Sequence, residues 1–400
     1  MRFPEFSGEW DRIKVSDLLE FYPTNSLSWE QLEYSDEGIF NLHYGLIHKG
    51  LPTQVDVSVN SLPTIKEEFI PKKISLCQNG DVAFADASED TNDVAKCIEF
   101  ANCEGQKIVC GLHTIHGRDK QNKTVTGYKG YAFSARAFRE QIRRLAQGTK
   151  IYSISSGNFS ECYIGIPSKA EQSKIANLLL AVDQRIATQI KIIEKLESLI
   201  RGIVTKVCSG TFVKGEYVFL RDILTERHVK NTENHEVCSV SVSQGIINQI
   251  DYLGRSFAAK ETLHYNVVNY GDVVYTKSPT GDFPYGIVKR SNIHRPVAVS
   301  PLYGVYQPKN DYIGRYLHLY FKSPINTKNY LHRLIQKGAK NTINITNTHF
   351  LDNKVFTPYD AELIKIVNLT SAIENKLILA NQMLDSLKIQ KSYLLSKMFI

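Results

Sequence analysis

Hydrophobic side chains form two long stripes along this chain, each stepping by threes and fours. The first passes through Ile175, Leu179, Val182, Ile186, Ile190, Ile193, Leu196, Ile200, Ile203 and Val207. The second passes through Ile366, Leu369, Ile373, Leu377, Ala380, Leu384, Leu387, Leu394 and Met398. That period is one face of an α-helix, and so narrow a stripe predicts the seam of a coiled coil. Ser168-Lys169-Ala170-Glu171 has the form of a capping box at the start of the first helix, and Ser209-Gly210 ends it. Thr357-Pro358 predicts the start of the second, with proline at the first helical position. Lys391 interrupts the second stripe, where a polar residue sets register or partner. Glu197 and Arg201 make an i,i+4 pair outside the seam.

Elsewhere the pattern is shorter. Gly80-Asp81-Val82-Ala83-Phe84 and Lys107-Ile108-Val109-Cys110-Gly111-Leu112 read as strands bounded by turns. Ser134 to Leu145 reads as a helix with Phe138, Ile142 and Leu145 inward and Arg139, Arg143 and Arg144 off that face.

These elements occur twice. A shift of 191 positions sets Phe159 on Phe350, Pro167 on Pro358, Ile175 on Ile366 and Lys206 on Lys397 without a gap. The same shift lays Asn79-Gly80-Asp81-Val82 on Tyr270-Gly271-Asp272-Val273. Solenoid repeats run about 20–50 residues, so this is a duplicated domain plus helix. The expected division is a globular domain over 1–165, a helix over 166–210, a second globular domain over 211–356 and a second helix over 357–400. The fold class is α+β, with an internal pseudo-two-fold repeat and the helices paired as an antiparallel coiled coil. A helix of about 38 residues spans roughly 57 Å, which suits a ruler between two heads on one DNA duplex. The bland alternative packs each helix on its own domain as ordinary core.

Composition narrows the class. Hydrophobic content of 42% and charged content of 22% describe a soluble protein, no apolar run reaches the length of a membrane span, and the opening Met1-Arg2-Phe3-Pro4-Glu5 lacks a signal-peptide pattern. A cytoplasmic location follows as an expectation. The seven cysteines are odd in number and fall mostly in one half, which fits reduced thiols. Cys97, Cys103, Cys110, His113 and His116 could suggest zinc, but no tight C-x₂₋₄-C hook is present and the second copy has no counterpart, so no metal is expected.

A net charge of +7 leans towards a polyanionic partner. The basic residues cluster, and the candidate DNA contacts are Arg118, Lys120, Lys123 and Lys129 in the first copy and Lys289, Arg290 and Arg295 in the second. A further set precedes each long helix: Arg143, Arg144, Gln147, Lys150 and Tyr152, then Arg333, Lys337, Lys340, Asn341 and Asn344. In both places a helix is expected to end at a glycine, followed by lysine, hydroxyl and amide side chains. Lysine and arginine neutralise phosphate, and glutamine and asparagine can pair with base edges. A solvated, glycine-capped loop is the alternative. Phosphate-loop, dinucleotide-binding and base-methylating signatures are absent from the sequence. Asp81 and Asp272 read as turn carboxylates bonding their own backbone rather than as nuclease ligands.

Arg2-Phe3-Pro4-Glu5-Phe6-Ser7-Gly8-Glu9-Trp10, the helix entry Ile166-Pro167-Ser168-Lys169-Ala170-Glu171-Gln172-Ser173-Lys174-Ile175-Ala176, Gly111-Leu112-His113-Thr114-Ile115 and Val299-Ser300-Pro301-Leu302-Tyr303 together resemble a specificity subunit of a type I restriction–modification system. The second helix entry, Thr357-Pro358-Tyr359-Asp360-Ala361-Glu362-Leu363, lacks the glutamine. The resemblance implies a non-catalytic reader of double-stranded DNA, with two target-recognition domains, each reading half of a split, asymmetric target. It implies docking of two methyltransferase subunits that use S-adenosylmethionine and of restriction subunits that use ATP and Mg. The rival readings are a coiled-coil scaffold that binds only protein, and a remnant of a single-chain DNA methyltransferase or nuclease.

Overall fold

The computed structural model describes residues 1–253, 261–337 and 343–399. The chain divides into two compact units, Met1–Lys191 with Gln382–Ile400, and Ile192–Asn381. Among the described residues no helix is long and apolar enough to cross a membrane.

The first unit is built on an antiparallel run of four strands, ordered Glu20–Tyr22, Thr114–Arg118, Val82–Ala85 and Cys97–Ala101, with Gln54–Asp56 added in parallel at the edge. The second unit repeats that run as Leu224–Glu226, Gly304–Pro308, Val273–Tyr275 and Val288–Arg290, again antiparallel throughout. Each unit also has a ladder leading into its long helix: Asp11–Lys14 pairs with Tyr163–Ile166, and Gly215–Phe219 with Lys354–Pro358.

The repeat extends to side chains. Phe84 packs on Phe159 with ring centroids 4.5 Å apart, and Tyr275 packs on Phe350 at 4.6 Å. Tyr128 donates its hydroxyl to the Gly165 carbonyl at 2.7 Å, and Tyr316 does the same to Phe356 at 2.6 Å. A buried phenol needs an acceptor, and both copies supply the carbonyl of the strand that precedes the long helix.

The long helices run Lys169–Cys208 and Asp360–Lys397. In the first unit Ile175, Leu179 and Val182 are buried with Leu394 and Met398, and Ile186 packs at the edge of that cluster. In the second unit Ile200 and Val204 are buried beside Ile373 and Leu377, while Val207, Leu363, Ile366 and Val367 join the main core. Early residues of one helix therefore meet late residues of the other, so the pairing is antiparallel. Leu384 and Leu387 are buried, and Ile193 and Leu196 are half-buried.

Two seam positions need correction. Ile190 is 39% exposed and Leu369 is 54% exposed. Strict alternation of four and three steps from Ile186 arrives at Gln189, which is half-buried, and from Ile366 at Thr370, which is 1% exposed. Two successive steps of four (Val182 to Ile186 to Ile190) drift off a 3.5-residue seam. Thr370 lies on it because its hydroxyl can bond the Ile366 carbonyl at 2.8 Å.

The helix entries also differ from expectation. The Ser168 hydroxyl accepts from the Glu171 backbone N–H at 3.4 Å, but the buried Glu171 carboxylate receives two bonds from Arg2 at 2.6 Å. Gln172, fully buried, accepts from Val125 N–H and donates to the Lys123 and Pro167 carbonyls. It ties the helix start to the preceding loop. In the second unit Leu363 takes its place as part of the apolar core. Pro358 ends a strand there, and the helix starts at Asp360. The helix expected over 134–145 begins at Arg136, because Ala135 is extended and separates it from another helix, Tyr128–Ser134.

Candidate nucleic-acid interface

Each sheet carries one glycine–aspartate turn. Gly80 and Gly271 have positive φ, +82° and +89°, which places the next carboxylate back over its own turn. Asp81 accepts from Gln78 N–H at 2.9 Å, and Asp272 from Asn269 N–H at 2.8 Å. Both carboxylates are buried and paired. Asp81 is held by Arg118 at 2.7 and 2.8 Å and by His116 at 2.8 Å, whereas Asp272 is held by Arg227 alone, at 2.7 and 3.0 Å. The pairing sets their titration. Burial raises a carboxyl pKa, but Arg118 and His116 bring Asp81 below its ordinary value; with one cation beside it, Asp272 stays raised by burial. The turn reading of both aspartates holds, with an arginine clamp the sequence did not reveal.

That clamp removes several expected DNA contacts. Arg118 is bound to Asp81 and stacks over Tyr22 at 4.6 Å. Lys129 is buried, 3.3 Å from the fully buried Glu99, and it donates to the Thr124 hydroxyl. Arg290 is buried, paired with Asp311 and placed over the Tyr270 ring. Lys289 is buried as well. Arg118, Lys289 and Arg290 lie on strands covered on both faces and Lys129 on a buried helix, and a run of basic letters does not tell which side chains the packing covers. Lys120 and Arg295 are exposed but paired, with Glu20 and Glu236. Lys123 is half-buried and contributes its carbonyl to Gln172.

Lys289 has no carboxylate at ion-pair distance among the described residues. Burial pushes its ammonium down from 10.5 to about 8. The unfolded chain then binds this proton more tightly than the folded one, so stability rises as pH climbs from about 8 to 10.5. Lys289→Met should remove the penalty and raise the Tm of the second unit at neutral pH. At ~1.4 kcal/mol per pKa unit the gain is at most ~3 kcal/mol. An unchanged or lowered Tm would show that the buried ammonium is satisfied.

The surface that remains basic lies before the long helices. In the first unit the helix Arg136–Leu145 ends ahead of the glycine, and the chain turns into a hairpin in which Gln147 and Ser153 exchange backbone bonds at 2.8 and 2.9 Å. Tyr152–Ser153 also pairs with Ala87–Ser88, which anchors the hairpin to the unit. Gly148 is not a helix cap. Its φ is +143°, and a Cβ there would lie 1.9 Å from the Ile151 carbonyl, so only glycine fits the tip. Thr149, Lys150 and Ile151 are exposed at that tip, whereas Tyr152 packs partly on the core. Arg144, Lys150 and Arg333 are exposed and carry no ion pair among the described residues. The second unit has the matching ladder, Gln336–Lys337 with Ile343–Asn344. Lys340 and Asn341 lie outside the described residues.

Along the helix that leads into the first hairpin an open groove of about 780 Å³ is lined by Arg136, Arg139, Arg143, Lys388 and Lys391 together with Asn92 and Tyr393. Arg136 and Arg143 share Glu140, and Lys391 is paired with Asp183. Arg139 donates one Nη to the Asn92 carbonyl at 2.5 Å, and its other Nη has no partner. Burial lowers the Arg139 pKa. Arg136, Arg139 and Arg143 fall at i, i+3 and i+7, a spacing that could have marked this face from sequence. Lys388 could not have been found so, being distant in the chain.

Of the five zinc candidates, the fold gathers only Cys110 and His116, with Cys77 rather than with the other three. His113 bonds Asp86 at 3.1 Å on the surface. Cys97 and Cys103 are buried, and burial raises their thiol pKa values.

Comparison with known proteins places this architecture. Residues 54–198 match the family described as the type I restriction modification DNA specificity domain. Among curated proteins, none matches the chain in sequence. The chain shares its fold with the S subunit of a type I restriction–modification system from M. genitalium, at 15% identity, TM-score 0.59, covering 100% of this chain and 99% of that one. A chain from a structure describing complex assembly and conformational transition of the type I R-M system matches at 12% identity and TM-score 0.52, covering 98% of this chain and 97% of that one.

Proposed function

We propose that this chain is the DNA-reading specificity subunit of a type I restriction–modification complex and carries no catalytic site of its own. The observation that carries the reading is the match of residues 54–198 to the type I restriction modification DNA specificity domain, together with the recurrence of the first unit's four-strand sheet and glycine–aspartate turn in the second unit. Each unit reads one half of a split, asymmetric target. The hairpin after Leu145 and the ladder of Gln336–Lys337 with Ile343–Asn344 approach the duplex, and Arg144, Lys150 and the arginine-lined groove neutralise phosphates. Methylation comes from two docked methyltransferase subunits that bind S-adenosylmethionine, and cleavage from restriction subunits that use ATP and Mg, in the cytoplasm.

The decisive experiment exchanges residues 1–165 for those of another specificity subunit and sequences the methylated motif in cells that also make the methyltransferase. One half of the motif should change and the other should remain. A motif altered in both halves, or in neither, rules out independent reading. Within the native chain, Lys150→Ala should weaken binding to all sequences and reduce the salt slope by about one unit, as loss of one phosphate contact requires. Gln147→Ala should instead relax one base pair at a cost of about 1–3 kcal/mol. If both variants bind with unchanged affinity, salt slope and motif, the hairpin does not touch DNA.

A further inference from the structure

We propose that Cys77, Cys110 and His116 form a zinc-binding site inside the first unit. One ligand atom from each lies within 4.8 Å of the others, and all three residues are buried. The two sulfurs are 3.6 Å apart. Two sulfurs each ~2.3 Å from a tetrahedral zinc are separated by roughly 3.8 Å, so the pair is already near ligand spacing. His116 is fully buried beside the Cys77 thiol; its Nε2 meets Asp81 at 2.8 Å, and its Nδ1 has no partner within ordinary hydrogen-bond geometry among the described residues. A carboxylate that takes one ring N–H fixes the tautomer and leaves the other nitrogen's lone pair for a metal. Asp81 is itself immobilised by Arg118 and the Gln78 N–H.

The duplicate unit supplies an internal control. The 191-residue shift takes Cys77 to Val268. Cys77 bonds Ile108 as Val268 pairs with Val297, and two residues further on Cys110 corresponds to Val299. His116 pairs with Ala83 as Val305 pairs with Val274. Val268, Val299 and Val305 are buried in one apolar cluster. The fold is therefore satisfied by three valines here, and the first unit has a soft ligand atom at every one of the three positions. Two Cys S–H bonds and the second N–H of the His116 imidazolium break as two S–Zn bonds and one N–Zn bond form, with the three protons passing to solvent. Two thiolates balance the dication, so the buried cluster is neutral, and a water molecule takes the fourth tetrahedral position.

The test uses the full chain, made under reducing conditions without chelator and analysed for metal by elemental mass spectrometry. A single zinc per chain is expected in the native protein and in Cys103→Ala. It should be absent from the triple variant Cys77→Val, Cys110→Val, His116→Val, which copies the packing of the second unit and so keeps the fold. Cobalt(II) added to the metal-free native chain should produce thiolate-to-metal charge-transfer absorption that the triple variant lacks. The proposal is overturned by a native chain that holds no zinc and gives no such absorption, by copper in place of zinc, by a triple variant that retains the metal, or by a Cys77–Cys110 disulfide in peptide maps of the native chain.

Discussion

Lys129→Ala should destabilise the first unit by about 3–5 kcal/mol, the range for removing one partner of a buried ion pair. Glu99 is fully buried, and burial raises its pKa; Lys129, the Gly130 N–H, which donates at 2.8 Å, and the Gly127 backbone are polar partners that oppose the rise. Truncating the lysine strands a carboxylate in the core and opens a cavity beneath the Gly80 turn, whose Cβ position is 3.6 Å from the Lys129 Nζ. Both tryptophans, Trp10 and Trp29, lie in this unit, so denaturation followed by tryptophan fluorescence reports it selectively. Lys129→Met combined with Glu99→Gln should recover most of the loss, because neither charge then needs a partner. Under conditions where the single variant is still folded, its salt slope on DNA should equal that of the native chain. A stable Lys129→Ala chain with a weaker salt dependence would return this lysine to the DNA-binding surface.

The second large effect belongs to Lys391. Its ammonium lies 2.6 Å from Asp183 on the opposing helix and 3.2 Å from the Thr53 hydroxyl, and Asp183 also receives the Tyr131 hydroxyl at 3.0 Å. Both charged side chains are largely covered. Lys391→Ala should cost about 2–3 kcal/mol, at or below the fully buried range because some water reaches the pair. Lys391→Glu should cost more and loosen the end of the second helix from the first unit, since two carboxylates then face each other. Exchanging the pair, Asp183→Lys with Lys391→Glu, should restore part of the loss, the remainder being the acceptor denied to Tyr131. Thermal denaturation of the native chain, Asp183→Lys, Lys391→Glu and the double variant closes the double-mutant cycle. If Lys391→Glu is as stable as the native chain, the antiparallel register is wrong, because no other alignment of the seam brings these two residues together.

The sequence alone determined the duplication and the two long helices, because those depend on periodicity and on spacing within continuous segments; the antiparallel direction of their pairing was an expectation that the tertiary contacts decided. The 191-residue shift sets Lys169 on Asp360, and those are the first residues of the two helices. The polar break at Lys391 was equally legible, although its partner was not. Strand faces were less accessible: Lys129, Lys289 and Arg290 look like surface cations in a linear reading, and only the sheets and the helices packed on them turn these side chains inward against Glu99, Asp311 and neighbouring rings. The hairpin at Gly148 was read as a helix cap because the residues that close it, Gln147 with Ser153 and Tyr152 with Ser88, must be brought together by the fold. Cys77 escapes a reading by spacing for the same reason, since the thiol it meets in space, Cys110, lies 33 residues further along the chain. Helical contacts recur every three or four residues and leave a trace in the chain. Contacts across a sheet join residues that share no spacing, and only the tertiary structure decides them.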